Sequence, residues 1–79
     1  AHESAAEANA RTLELAVKST MAKEGVESTD GLDKDTVLSY LGLNGDDELT
    51  ESGKYNLVVD SDGNVDGTYV KTGGDIKGL

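Results

Sequence analysis

The sequence predicts an α+β fold in which one long N-terminal helix packs on a small antiparallel β-sheet. Three observations lead to this prediction. The first 24 residues contain no glycine and are rich in alanine and glutamate, whereas all ten glycines lie from Gly25 onward. Two segments in which apolar and polar residues alternate follow in the second half of the chain. A turn-forming tetrapeptide, Ser61–Asn64, separates these two segments, as expected for a β-hairpin.

The first segment, residues 3–24, is predicted to form a single helix. Most of its residues are strong helix formers, and Gly25 stands where a left-handed C-terminal cap is expected. The charged pair Glu14–Lys18 has the i,i+4 spacing that stabilises a helix. One apolar stripe recurs at helical spacing and is expected to face the core. It consists of Ala6, Ala10, Leu13, Val17 and Met21.

A second stripe on the same predicted helix carries Ala8, Leu15 and Ala22, with small polar neighbours. A helix that lies on a sheet needs only one apolar face. A second face of small residues and one leucine suits the close approach of another helix, and we therefore expect these three residues to pack against a neighbouring subunit. The sequence leaves an alternative equally open, namely an alanine-rich surface with one exposed leucine.

Residues 26–53 are predicted to be mostly loop with one short helix. Asp33 can cap a helix that runs through Leu41, and Gly42 is suited to end it. The following stretch, 46–51, contains four acidic residues and is expected to be exposed. This part of the chain therefore connects the long helix to the sheet.

Residues 54–79 are predicted to form the hairpin and a C-terminal tail. The first strand begins near Tyr55 and the second ends near Val70. A hairpin alone is only marginally stable in water, so this one is expected to lie on the long helix. We expect a third strand from either 48–51 or 75–77.

Length and charge restrict the classes of function. Seventy-nine residues allow one domain, 1–79, and its core must be thin. Since the chain has no cysteine, only a metal or assembly with other chains could reinforce that core. A net charge of −9 repels phosphates, so nucleic acid is not an expected partner. No run of about 18 apolar residues is present that could span a membrane.

The residues needed for catalysis are not evident in the sequence. The only histidine is His2, near the terminus, and there is no cysteine, so no nucleophile–base pair is predicted. No phosphate-binding loop is present either. We therefore expect a structural or binding module, not an enzyme, with no small-molecule substrate and no cofactor other than calcium.

A calcium ion is the one ligand for which the sequence offers a pattern. Asp62, Asn64, Asp66 and Gly67 match the opening D-x-N-x-D-G of a calcium-binding loop. The closing glutamate of an EF-hand would fall at Gly73, which excludes an EF-hand. A calcium site of another kind would draw on Asp60, Asp62, Asp66 and Asp75. The alternative, which we favour, is that aspartate, asparagine and glycine are simply the residues that hairpin turns use.

The order of these parts resembles that of a type IV pilin, and so does the local sequence of three segments. Glu3–Leu13 is similar to the stretch that follows the pilin transmembrane helix. Lys54–Asp60 and Tyr69–Lys71 are similar to the closing hairpin of small pilins. The family's Gly-Phe-Thr-Leu-x-Glu cleavage site and the apolar helix behind it are not in this sequence. The resemblance implies that they precede it in a longer protein.

The resemblance implies a structural subunit of an extracellular, type IV pilus-like filament that is built from copies of itself. The preceding apolar helix would anchor the protein in the membrane before assembly. Its role would be adhesion, motility or a related function at the cell surface, and the sequence does not choose among adhesion, motility, DNA uptake and secretion. Gly74–Ile76 is also similar to the major pseudopilins of type II secretion, which bind calcium in a C-terminal loop. The remaining alternatives are an acidic, calcium-stabilised binding module and a small acidic cytosolic adaptor, both unrelated to filaments.

Overall fold

The N-terminal helix α1 runs from His2 to Glu24 in the computed structural model, which describes all 79 residues. Gly25 adopts the left-handed conformation at the end of α1, with φ at 70°, and its N–H donates to the carbonyl oxygen of Ala22. This is the glycine cap that the sequence predicts. The predicted bounds of the helix are confirmed to within one residue.

Helix α2, Lys34–Tyr40, begins where the sequence predicts. The carboxylate of Asp33 accepts a hydrogen bond of 3.3 Å from the backbone N–H of Asp35, so Asp33 is the N-terminal cap. Leu41 is the C-terminal cap of this helix. The chain then turns at Gly42, which has φ at 74°.

A third helix, α3, consists of the single turn Asp47–Thr50, which the sequence does not predict. The backbone N–H and the hydroxyl of Thr50 both donate to the carbonyl oxygen of Asp46, each over 2.9 Å. Leu49 is buried and holds this turn on the core. The expectation of a third strand at 48–51 is therefore wrong, whereas the other candidate, 75–77, is confirmed.

Three strands form one sheet in the order β2-β1-β3. The hairpin strands β1, Tyr55–Val59, and β2, Val65–Tyr69, pair antiparallel, with Leu57 opposite Gly67. Strand β3, Ile76–Lys77, pairs parallel to β1, with Leu57 opposite Ile76. The sheet is thus mixed, and the prediction of a purely antiparallel sheet holds for the hairpin but is wrong for the third strand.

The parallel pairing follows from the path of the chain around the Tyr55 end of β1. The N–H of Val70 donates to the carbonyl oxygen of Lys54, and the N–H of Gly74 donates to that of Gly53, each over 2.7 Å. A side chain at Gly74 would overlap the backbone carbonyl of Tyr55, so this close passage requires glycine. The tail therefore arrives at the far edge of β1 and runs in the direction of β1.

One cluster of 15 buried hydrophobic residues lies between α1, the sheet and α2. Leu57, Val65, Val37 and Leu38 contribute large side chains from the sheet and α2. Every residue of the predicted inner stripe of α1 is buried, which confirms that expectation. The stripe comprises Ala6, Ala10, Leu13, Val17 and Met21.

Helix α1 lies directly on strand β2. Gly67 is the point of closest contact, since a Cβ there would overlap the carbonyl oxygen of Ala6 and press on the side chain of Ala10. The fold is α+β, a long N-terminal helix packed on a small three-stranded mixed sheet. This arrangement is compatible with that of a pilin head.

Candidate functional site

The predicted subunit-packing residues Ala8, Leu15 and Ala22 share one solvent-exposed face of α1. They follow one another at intervals of seven residues, which is nearly two turns of helix. Leu15 is 65% exposed, more than any other large hydrophobic residue of the chain. The structure therefore brings the three residues together on the surface. That another subunit covers them remains a prediction.

The neighbours of Leu15 on the helix surface are basic or small. Residues three, four and seven positions away from it are the ones that adjoin it on the helix. We call Leu15 and these neighbours the outer face; its members are Ala8, Arg11, Thr12, Leu15, Lys18, Ser19 and Ala22. The outer face contains two basic residues and no acidic residue, in a chain whose net charge is −9.

Two glutamates of α1 lie beside the outer face and hydrogen-bond to strand β2. The carboxylate of Glu14 accepts a bond of 2.8 Å from the N–H of Val65, and that of Glu3 accepts one of 3.0 Å from the N–H of Tyr69. These N–H groups belong to an edge strand, where unpaired donors would otherwise invite pairing with another strand. Side chains of α1 therefore occupy two of the backbone hydrogen-bond donors at this edge of the sheet.

Glu14 is held in its charged form by this contact. The hydrogen bond from Val65 is the main cause that lowers the pKa of Glu14 below its ordinary value of 4.5, and the nearby charges of Arg11 and Lys18 lower it further. The salt bridge of Glu14 is made with Arg11 at 2.8 Å, rather than with Lys18 as the i,i+4 spacing predicts. One carboxylate oxygen of Glu14 thus accepts from both Arg11 and Val65.

A carboxylate also accepts a backbone hydrogen bond at the opposite edge of the sheet. Asp75 accepts a hydrogen bond of 2.8 Å from the N–H of Ile76, and its own N–H donates to the side-chain oxygen of Asn56 over 3.1 Å. The pKa of Asp75 is lowered, with the neighbouring Asp46 as the largest cause and the bond from Ile76 next. Asp75 thus acts at the beginning of β3.

Asp60 organises the hairpin turn. Its carboxylate accepts hydrogen bonds of 2.9 Å from the backbone N–H groups of Asp62 and Asn64. The bonds to Asn64 are the main cause that lowers the pKa of Asp60, with that from Asp62 next. The hydroxyl of Thr29 donates to the carbonyl oxygen of Asp60 over 3.0 Å, which ties the turn to the loop after α1. These contacts are the ones expected if Asp60 is there to form the hairpin turn.

The four residues of the predicted calcium site lie on different parts of the hairpin and tail. Asp60 and Asp62 belong to the turn, Asp66 is exposed on β2, and Asp75 precedes β3. No group of three or more His, Cys, Asp or Glu side chains is arranged to hold a metal ion. Calcium binding by Asp60, Asp62, Asp66 and Asp75 therefore remains a prediction from the sequence.

A shallow groove of about 410 Å³ lies on the surface of the loop that follows α2. Residues 42–48 line it, and we call it the acidic groove. Leu43 is its single hydrophobic lining residue, while Asp46, Asp47 and Glu48 provide carboxylates. Lys34 is the one basic residue between Gly25 and Gly53. Its ammonium group lies 3.5 Å from the carboxylate of Asp46.

The only histidine lies in the first turn of α1. The ring of His2 stacks on the ring of Tyr69, with 4.3 Å between the ring centroids.

None of the helices combines the length and the apolar character needed to cross a bilayer.

Comparisons with protein-family models, with curated proteins and with solved structures give no match to this chain.

Proposed function

We propose that this chain is the head of a type IV pilin-like subunit, which assembles with copies of itself into an extracellular filament. In this proposal a preceding apolar helix anchors the subunit in the membrane before assembly, and the filament acts in adhesion or motility at the cell surface. The head itself carries out no catalysis and binds neither nucleic acid nor a small-molecule substrate.

The observation that carries the proposal is the exposed Leu15 on the outer face of a helix whose inner face is already buried. The inner face fills the core with Leu13, Val17 and their neighbours, so Leu15 adds nothing to the fold. Burying a leucine side chain at an interface contributes roughly 1.5–3 kcal/mol. Small neighbours such as Ala8 and Ala22 let a second protein surface approach the helix closely.

The alternative route of self-association, pairing between sheet edges, is disfavoured by the hydrogen bonds of the edge strands. Glu3 and Glu14 accept hydrogen bonds from N–H groups of β2, and Asp75 accepts one from the N–H of Ile76. Charged groups placed in this way protect native sheets from adding strands. Assembly through the helix is therefore the route that this head favours.

The test is Leu15→Arg in the complete gene product, expressed in its own host. We expect the isolated head to remain folded by circular dichroism, because Leu15 is exposed, and we expect filaments to disappear from electron micrographs. Val58→Arg is the matched control, since Val58 is 47% exposed but lies on the sheet. Normal filaments formed by Leu15→Arg would refute the role of the outer face.

A further inference from the structure

We infer that the outer face of α1 docks into the acidic groove of a second copy of this chain. The contact places Arg11, Leu15 and Lys18 of one copy against residues 42–48 of the next. This inference rests on the proposed function and names both surfaces of the contact between neighbouring heads.

The two surfaces match in chemistry. Leu15 projects from the helix with Arg11 four residues before it and Lys18 three residues after it, which gives an apolar centre between two cations. The acidic groove has the reverse pattern, with Leu43 as its apolar lining residue among several carboxylates. Leu15 can therefore contact Leu43 while the two cations meet carboxylates.

The distribution of charge along the chain favours this contact over others. Residues 25–53 contain eight acidic residues and only Lys34, so they account for −7 of the net charge of −9. The outer face carries two cations, Arg11 and Lys18, and Arg11 is also paired with Glu14 beside this face. Attraction between copies is therefore favoured where the outer face of one meets the acidic segment of another, because complementary charge selects the partner surface.

A symmetric dimer that pairs like surfaces would not satisfy these charges. If two outer faces met, Arg11 and Lys18 would lie opposite the same cations of the other copy. If two grooves met, carboxylates such as Asp47 and Glu48 would face each other. Only the contact between unlike surfaces is attractive. Contacts between unlike surfaces repeat from copy to copy, and where they do not close into a ring they form a helical filament.

Cross-linking of this 79-residue chain tests the contact directly, because the chain contains no cysteine. Thr12→Cys places a thiol on the outer face, and Asn44→Cys places one in the acidic groove. The two variants are mixed at millimolar concentration and treated with a short bismaleimide. Random pairing of equal amounts gives twice as much mixed dimer as either dimer of a single variant, and we expect the mixed cross-linked dimer to exceed this ratio. We also expect its yield to fall about tenfold in 1 M salt, since charges are then screened beyond about 3 Å.

The matched control replaces Asn44→Cys with Thr68→Cys, on the exposed side of β2.

Charge reversal provides the second measurement. Arg11→Glu/Lys18→Glu in the Thr12→Cys chain is expected to abolish the mixed product, and Asp47→Lys/Glu48→Lys in the Asn44→Cys chain is expected to restore it. A mixed product no more abundant than that of the Thr68→Cys control overturns the inference, and so does an excess of the Thr12→Cys homodimer.

The result is separable from that of the proposed function. If the complete protein forms filaments that depend on Leu15 but the mixed product is absent, the acidic groove is not the partner surface, and the filament proposal stands. If the mixed product forms and charge reversal restores it, the contact is established even where the complete protein forms no filament.

Discussion

The inner and outer faces of helix α1 are made of similar residues but have opposite environments. Leu13 on the inner face is completely buried, whereas Leu15, two residues later, is 65% exposed. Alanines accompany each of them, with Ala10 buried and Ala8 exposed. The difference teaches that apolar character alone does not assign a residue to the core. The helix uses one face for stability and leaves the other exposed to solvent.

The most direct way to test this division is to remove the same side chain from each face. Leu13→Ala leaves a cavity in a closed core, and we expect it to lower the free energy of unfolding by about 2–5 kcal/mol. Leu15→Ala shortens a side chain that is mostly exposed, and we expect a change within about 0.5 kcal/mol. Urea unfolding of both variants gives the comparison. Equal destabilisation by the two substitutions would contradict the division.

A smaller but more localised effect is expected where the inner face touches the sheet. A methyl group at Gly67 would overlap the carbonyl oxygen of Ala6. Gly67→Ala must therefore push α1 away from β2, and we expect a loss of about 1–3 kcal/mol.

Gly45→Ala is the matched control for this substitution. A Cβ at Gly45 meets no atom within 4 Å, and φ there is not positive. We expect this variant to be as stable as the parent chain or slightly more stable, by about 0.5 kcal/mol. Comparing the thermal unfolding midpoints of the two variants distinguishes a loss of stability caused by the overlap with Ala6 from one caused by the different backbone preferences of glycine and alanine. A tolerated Gly67→Ala would show that the contact between α1 and β2 is not tight.

The elements that depend on local sequence could be predicted, and those that depend on distant contacts could not. Helix α1 and the hairpin follow from periodicity, from Gly25 and from the turn at 61–64. Helix α3 is one turn held by the burial of Leu49, and nothing in the acidic stretch around it indicates a helix. The parallel direction of β3 depends on how Gly74 passes the end of β1, which no pattern of nearby residues specifies.

The same distinction holds for the candidate site. The outer face around Leu15 could be located because helical spacing is a local property. The edge contacts of Glu3 and Glu14 join residues 66 and 51 positions apart, so the sequence offered only ordinary helix glutamates. Asp60 is a residue for which the sequence leaves two interpretations open. A calcium-loop pattern drew attention to its carboxylate, which accepts hydrogen bonds from the backbone of its own turn.

The smallest expected effect concerns Glu14, which lies between the two faces of α1. Its pKa is lowered in the folded chain, mainly by the hydrogen bond from Val65. A group of this kind stabilises the fold above its unfolded pKa, and the contribution is lost as the pH falls through the folded pKa. The lowered pKa values of Asp60 and Asp75 act in the same direction. We therefore expect the urea midpoint to fall between pH 7 and about pH 3.

Glu14→Gln separates the contribution of this residue from that of the other carboxylates. Its side-chain oxygen can still accept the bond from Val65, but it has no proton to gain. The decrease in the urea midpoint on acidification should therefore be smaller in this variant and should persist in part, because Asp60 and Asp75 still titrate. Leu15→Ala, on the outer face, should keep the full pH dependence of the parent chain. An unchanged pH dependence in Glu14→Gln would mean that the bond between α1 and β2 does not contribute to stability in solution.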